Sequence, residues 1–394
     1  MPETPKEVEK IYDLIYTFLT SYGEFGVILA GIIFVLFVSE IVYYVAVYGR
    51  VASFRLLERT PKRDKEPAIS VVVPMFVEDS DYLDNGLVRL LTQDYNDFEV
   101  VVVYVGHDDD FFADLQCLTN LYSHLHPVHI DYSPHYPVSS KIALNVGFKS
   151  AKKDFVVMTT TSATPSSERW LSLLAKGFLY GDIVLGYSGV EPKSGFLNFI
   201  FREYRFTNSV AWLSSAIRGR AYSASRNALG FAKELYFNVR GFGNLNMNVG
   251  EDDLFLQQIA TRDNVSVVLS PRATTVERTW GGWSWWIHSV CEQHRTHRFY
   301  PKRALLSLRA EIVLRVLFFV ATLVALVLMP WEYGLTVLGV ALLRYLVVFF
   351  VVVRNTRRLG EVGLASRHFI YDFIEPVLRL VVAISFRKKR HDWL

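Results

Sequence analysis

The feature that most restricts this chain is Val27–Tyr48, VILAGIIFVLFVSEIVYYVAVY, an apolar run with a single charge at Glu40. About 20 apolar residues let a helix cross a bilayer core, where every backbone N–H and C=O must find its partner within the segment. Ile312–Met329 and Tyr333–Val353 are two more such runs, joined by the short acidic turn Pro330-Trp331-Glu332. Three spans are therefore expected. The first exceeds a signal-peptide core and follows an acidic, amphipathic stretch, Glu3–Tyr22, so no cleavage is expected. Phe369–Phe386 is broken by Asp372, Glu375, Pro376 and Arg379 and ends in Arg387-Lys388-Lys389-Arg390. That pattern suits a helix lying in the membrane interface better than a fourth span. Arg344, in the middle of the third run, has two readings: a cation for a phosphate or polar groove, or an internal partner for Glu40 or a carbonyl.

Lysine and arginine set the expected orientation. Arg50, Arg55, Arg59, Lys62, Arg63 and Lys65 follow the first run, and Arg354, Arg357 and Arg358 follow the third. Basic flanks stay on the cytoplasmic side, which puts the N-terminus outside and the central region and C-terminus inside the cell. The balance of 51% hydrophobic against 21% charged residues is too apolar for an ordinary soluble enzyme, and a net charge of +3 argues against a nucleic-acid polymer as partner. Two cysteines, Cys117 and Cys291, exclude a disulfide scaffold or a zinc cluster.

Between the spans, short β-branched runs alternate with amphipathic stretches. Ala68–Pro74, Glu99–Val105, Phe155–Met158 and Asp182–Gly189 read as strands; Asp84–Thr92 and Ile142–Ser150 read as helices. The alternation predicts an α/β fold with a mostly parallel sheet and a ligand site at the carboxyl ends of its strands. The expected organisation is an N-terminal helix and first span (1–48), a basic linker (49–66), the α/β domain (67–275), an interfacial region (276–308), two spans (309–353) and a basic interfacial tail (354–394).

Four motifs in this order carry a family resemblance. Val71–Asp79, VVVPMFVED, resembles the opening strand of family 2 inverting glycosyltransferases, ended by Pro74 and followed by Glu78. Lys141-Ile-Ala-Leu-Asn145 resembles the family's Lys-x-x-Ala-Leu-Asn helix start, and Arg240-Gly241-Phe242 with Gly250-Glu251-Asp252 its Gly-Phe turn and Glu-Asp motif. Arg295-Thr-His-Arg298-Phe299 is similar to the (Gln/Arg)-x-x-Arg-Trp motif of the membrane-bound, cellulose-synthase-like branch, with Phe299 in place of Trp. The resemblance covers about Ala68 to Pro301 and is closest to archaeal membrane mannosyltransferases that build lipid-linked glycans. It implies a GT-A fold, a sugar-nucleotide donor such as GDP-mannose and a polyprenyl- or dolichyl-phosphate-linked acceptor at the membrane.

By the same resemblance Asp252 is the base, with Glu251 beside it; like charge from Glu251 and Asp253 would raise its pKa. Otherwise the three acids are only the acidic first turn of a helix. Arg295 and Arg298, spaced i, i+3, share a helical face and suit a diphosphate; the alternative is a basic helix on lipid headgroups, below an aromatic belt of Trp280, Trp283, Trp285 and Trp286. His294 and His297 stay open, a surface histidine being the commoner explanation. Pro74, Glu78, Lys141 and Asn145 complete the implied donor site, against loop-acid and helix-surface readings of Glu78 and Asn145.

Two departures bear on metal. Where the family has Asp-Asp-Gly-Ser the chain has Tyr104-Val105-Gly106-His107, then Asp108-Asp109-Asp110, and its Asp-x-Asp is replaced by Thr160-Thr161-Ser162. Hydroxyls are poor sole ligands for Mn2+ or Mg2+. A divalent cation is still expected, with Asp108, Asp109, Asp110, Thr160 and Ser162 as candidate ligands; the alternative is a metal-free site using Arg295, Arg298 and Lys141. The implied activity is hexosyl transfer to a lipid-linked acceptor in glycan synthesis. The alternatives are a polyprenyl-phosphate hexose synthase and a non-catalytic, membrane-anchored nucleotide-sugar binder.

Overall fold

The structure, a computed structural model, describes residues 22–132, 138–245, 249–279 and 281–391, the side chains of Asn244 and of 387–391 excepted. Nearly all of the Glu3–Tyr22 stretch, Trp280 and the side chains of Arg387–Arg390 therefore lie outside the described residues. The chain divides into two compact units: residues up to Ala46 with Leu306–Val351, and Val47–Leu305 with Val352–Leu394.

The larger unit is built on a seven-stranded sheet. In chain order the strands are β1 (Ile69–Met75), β2 (Phe98–Gly106), β3 (Leu125–Asp131), β4 (Phe155–Met158), β5 (Ala163–Pro165), β6 (Ile183–Leu185), β7 (Ser188–Val190), β8 (Leu229–Ala232), β9 (Val265–Val267) and β10 (Thr275–Glu277). The main sheet runs β3-β2-β1-β4-β8-β6-β9, and β5-β10-β7 form a small second sheet. Only β8 runs antiparallel to its main-sheet neighbours β4 and β6. β1 is buried throughout and β2 almost so, which is why both read as unbroken valine-rich runs. The expected strand Asp182–Gly189 is two strands in two sheets, because the chain leaves the main sheet at Gly186-Tyr187.

Pro74 is paired with Val103 of β2 and lies one residue short of the end of β1. Val72 accepts from Thr159 on the β4 side, so residue 74, two further on, turns its missing N–H the same way, past the last β1–β4 pair. Proline is tolerated there and the ladder stops. The gap opens between β1 and β4, where the strand order reverses direction.

The helix Phe196–Ile217 is largely buried, and the C-terminal helix His368–His391 packs against it. The latter buries polar groups beside the apolar Leu378 and Val382 and shows an apolar stripe outward. Phe369, Phe373, Val377, Leu380 and Ile384 are exposed, whereas His368, Asp372, Glu375 and Tyr371 are buried. Its inward polar groups are spent on partners: His368 Nδ1 lies 3.0 Å from Glu203 Oε2, and Arg379 bonds Glu375 at 2.5 Å and Asn208 at 3.3 Å.

The smaller unit consists of helices. Among the described residues three helices, Gly23–Ser53, Lys302–Leu328 and Trp331–Leu359, are long and apolar enough to cross a membrane. Leu29, Ile33 and Leu36 make a seam against Phe318, Ala321, Ala325, Tyr333 and Val337, while Ile28, Ile32, Phe34 and Val35 face outward. Apolar outside as well as inside is the pattern of a bundle in lipid. Of the two readings of Arg344, the structure supports the internal one: it is fully buried and paired with Glu40, with Phe319 and Tyr345 rings about its guanidinium. A second buried pair, Arg315–Glu311, spans one helical turn.

Candidate active site

The predicted site residues fall into three groups along the carboxyl edge of the sheet. The first sits beyond β1, β2 and β3, where Phe76, Glu78, Val105, Gly106, His107, Asp108 and Tyr132 line a cavity of about 590 Å³. Glu78 accepts a 2.6 Å hydrogen bond from the Tyr104 hydroxyl, which in turn accepts from the Asp108 backbone N–H at 3.1 Å. Burial first, then Glu78, push the Tyr104 hydroxyl up to about 12, so it stays a donor. Gly106 permits this fold-back, because a Cβ there would overlap the Tyr104 ring. Asp108 caps the helix Asp109–Cys117 by accepting from Phe111 N–H at 2.9 Å, and Asp109 and Asp110 form that helix's acidic first turn.

The second group lies at the end of β4. Thr160 Oγ1 donates to Asn227 Oδ1 at 2.8 Å and lies 2.9 Å from Ser162 Oγ; Asn227 Nδ2 reaches Ser188 Oγ at 3.3 Å. Asn227 follows Arg226 in the turn that leads into β8, opposite the end of β4. The hydroxyls of the missing Asp-x-Asp are thus tied to an amide. Asp108–Asp110 follow β2, two strand positions away, a separation of roughly 10 Å. One ion with ligands at about 2.0–2.6 Å cannot collect both sets. Among the described residues no group of three or more His, Cys, Asp or Glu is arranged to hold a metal. The candidate ligand set does not fit a pre-built divalent site.

The third group is the acidic motif. Gly250, at φ +99°, starts it; a Cβ would lie 2.8 Å from Leu254, so glycine is required for both reasons. The three acids then face three ways. Glu251, almost fully buried, holds Arg226 at 3.2 Å. Asp252 caps the helix Asp253–Ile259 through a 2.8 Å bond from the Asp253 N–H. Asp253 Oδ2 accepts from Thr296 Oγ1 at 2.5 Å and from Tyr300 Oη at 2.6 Å. Burial, then Asp253, raise Asp252 to about 7, with Glu251 adding and Arg226 opposing. For Arg226, burial works against the charge, but Glu251, Asp252 and Glu277 outweigh it and hold its pKa above the ordinary arginine range. Its side chain is still 40% exposed. Nothing in the sequence announced Arg226: a separation of 25 residues from Glu251 follows no local period.

Lys141 follows the cap Ser139 at the start of the helix Ser140–Ser150 and sends its ammonium to the Leu245 carbonyl at 3.3 Å. Burial lowers its pKa, while Glu251 and Asp253 pull it back. It therefore belongs electrostatically with the acidic motif. Asn145 is committed to structure through its acceptance of the Tyr236 hydroxyl at 3.0 Å.

Arg295 ends the helix Trp283–Thr296, and Arg298 falls in the 3-10 turn His297–Phe299, so the expected common helical face stops between them. Arg298 lies 4.7 Å from the Phe299 ring centroid, a contact the missing tryptophan would also offer. His294 and His297 are not surface histidines. Their rings lie 4.2 Å apart at a tilt; burial lowers His294 to about 4, and burial, then His294, holds His297 well below the ordinary histidine range. The aromatic belt divides as well: Trp283 and Trp285 are exposed, whereas Trp286 is buried and stacked on Phe201 at 5.1 Å.

The mixed, mostly parallel sheet, its crevice beside β1 and the helical unit are those of a GT-A-type glycosyltransferase fold. Among solved structures the chain is similar to the mannosyltransferase PcManGT from Pyrobaculum calidifontis in complex with GDP-Man and Mn2+, at 19% identity and a TM-score of 0.53, covering 86% of this chain and 99% of that one. S. aureus TarS 1-349 in complex with UDP-GlcNAc aligns more loosely, at 16% identity and a TM-score of 0.40, covering 76% and 91%. No protein-family model and no curated protein matches the chain.

Proposed function

We propose that the chain is an inverting, membrane-anchored glycosyltransferase that moves a hexose from a sugar nucleotide to a lipid-linked acceptor. The observation that carries this reading is Asp252, a carboxylate raised to about 7 at the cleft edge of a glycosyltransferase fold. A base of that strength takes the acceptor hydroxyl proton as the oxygen bonds the anomeric carbon. The departing diphosphate needs positive charge; Arg226, Lys141, Arg295 and Arg298 are the groups that supply it. The nucleoside takes the 590 Å³ cavity, with Glu78 held by Tyr104. GDP-mannose is the favoured donor, supported by the GDP-Man bound in the Pyrobaculum structure. That structure also holds Mn2+. Since the candidate ligands here do not form its site, a cation would enter with the diphosphate, and no step above runs through it.

The three apolar helices and the exposed apolar stripe of His368–His391 support a polyprenyl-linked acceptor. The basic residues after the first and third spans support a cytoplasmic catalytic domain and C-terminus and an outside N-terminus. One observation favours a second reading: Arg226 lies beside Asp252, a fitting neighbour for a bare lipid phosphate, as in a polyprenyl-phosphate hexose synthase. Such an acceptor is already ionised and needs no base.

Radiolabelled GDP- and UDP-sugars, supplied to the detergent-solubilised protein with polyprenyl-linked sugars or polyprenyl phosphate, test both. Asp252→Asn is expected to lower transfer to a sugar hydroxyl about a thousandfold while leaving GDP binding unchanged. Wild-type turnover by that variant removes the base assignment, and activity confined to bare polyprenyl phosphate selects the second reading.

A further inference from the structure

Asp253 is the acid of the motif that the chemistry above leaves unused, and its surroundings are the most specific in the molecule. It is buried, with its Oδ1 accepting the Leu254 N–H at 2.7 Å. Its Oδ2 receives two hydroxyls, Thr296 Oγ1 and Tyr300 Oη. Thr296 directly follows Arg295, and Tyr300 is two residues after Arg298. The two bonds therefore flank Arg298 on both sides, and the first adjoins Arg295. Thr296 Oγ1 also lies 2.8 Å from the Gln293 carbonyl of its own helix, and Tyr300 Oη lies 3.3 Å from Ser223 Oγ. Tyr300 further packs its ring 5.4 Å from Tyr222 and 4.8 Å from His297. Asp252, one residue before Asp253, caps the same short helix through Asp253's own N–H.

We propose that Asp253 is a positioning residue that latches the Arg295–Arg298 turn to the helix start carrying Asp252, so that donor grip and base are held as one unit. A burial-driven role alone would be met by an apolar residue; two hydroxyls converging on one carboxylate oxygen give direction as well as contact. Charge-assisted hydrogen bonds are the strong ones and fix geometry. The arginines sit on a helix terminus followed by a 3-10 turn, an arrangement with few backbone bonds of its own. External anchorage decides where they point.

The kinetic part of this inference rests on the glycosyltransferase reading; the structural part does not, and the test separates them. Full-length Asp253→Ala, Asp253→Asn and Thr296→Val/Tyr300→Phe proteins in detergent are digested briefly with trypsin, and the cuts after Arg295 and Arg298 are mapped by mass spectrometry. The alanine and double variants are expected to be cut there about tenfold faster than wild type, with little change at other sites. Asn keeps an acceptor oxygen and is expected to restore protection. For transfer, the alanine and double variants raise the donor KM about tenfold with a smaller loss of kcat, and Asn restores KM. Wild-type cutting at both arginines, or an unchanged donor KM in an active variant, overturns the latch. Where Asp253→Ala fails to fold, single Tyr300→Phe carries the same comparison. If no sugar is transferred by wild type while the tryptic difference stands, the enzymatic reading fails and the latch survives.

Discussion

Because Asp252 titrates at about 7, its ionised fraction falls as pH drops from about 8 to about 6, and the base is lost with it. Transfer to a sugar hydroxyl is expected to show an acidic limb near neutrality. Removing the like charge in Asp253→Asn moves that limb to lower pH, which a pH–rate profile of both proteins reads directly. The stability sign follows from the same shift. A carboxyl whose folded pKa is raised gives stability that is complete below its unfolded value, near 3.8, and lost as pH rises through 7. Asp252→Asn should therefore melt higher than wild type at about pH 8 and no higher at about pH 4, a comparison by thermal denaturation. Glu251 makes a second residue-scale case. Arg226→Met leaves its buried carboxylate without the guanidinium and is expected to cost about 2 kcal/mol, with Glu251→Gln in the same protein recovering most of it; a double-mutant cycle of melts measures this. Asp252 was picked out by its resemblance to a family Glu-Asp motif, with Gly250 and two neighbouring acids beside it. Local sequence was silent on Arg226, Thr296 and Tyr300, whose roles exist only once distant elements meet.

At the scale of elements, the C-terminal helix His368–His391 shows what a pattern can and cannot say. Asp372, Glu375 and Arg379 interrupt its apolar run, and that interruption correctly separated it from the three long apolar helices. Which face the charges take was not legible, since burying them depends on Glu203, Asn208 and their helix, 170 residues earlier in the chain. This arrangement predicts an unusual order of sensitivity. Glu375→Ala, at a buried polar position, should lower the melting temperature more than Phe373→Ser, at an exposed apolar one. The β strands divide similarly. β1, β2 and β4 were readable from their β-branched runs, whereas β3, LHPVHID, carries a proline and two histidines, and β8 and β9 are only four and three residues long. The candidate metal site is also an element-scale matter: hydroxyls at the end of β4 and acids after β2 are held apart by β1. Micromolar Mn2+ alone is expected to give no saturable heat in calorimetry, with binding detectable only when GDP is present. Tight binding to the nucleotide-free protein would show a cation cage that the described residues do not form.

The whole molecule combines a glycosyltransferase fold, whose charged groups gather at one sheet edge, with a helical unit that pairs Glu40 with Arg344 and Glu311 with Arg315. The apolar runs made the three long apolar helices of the described residues readable from sequence alone, and Glu40 and Arg344 stood out within them. Their pairing has a consequence for how the protein is made. Glu40 is synthesised roughly 300 residues before Arg344, and a lone charge in the middle of a helix costs about 3 kcal/mol to insert. In a bilayer the early helix would carry an outstanding debt that only the third apolar helix clears. Truncation before Arg344 is expected to leave the first segment poorly retained in membranes and exposed to quality-control proteases, and Glu40→Leu to rescue it in a pulse-chase. Maturation of this chain is in that sense tied to completion of its third span.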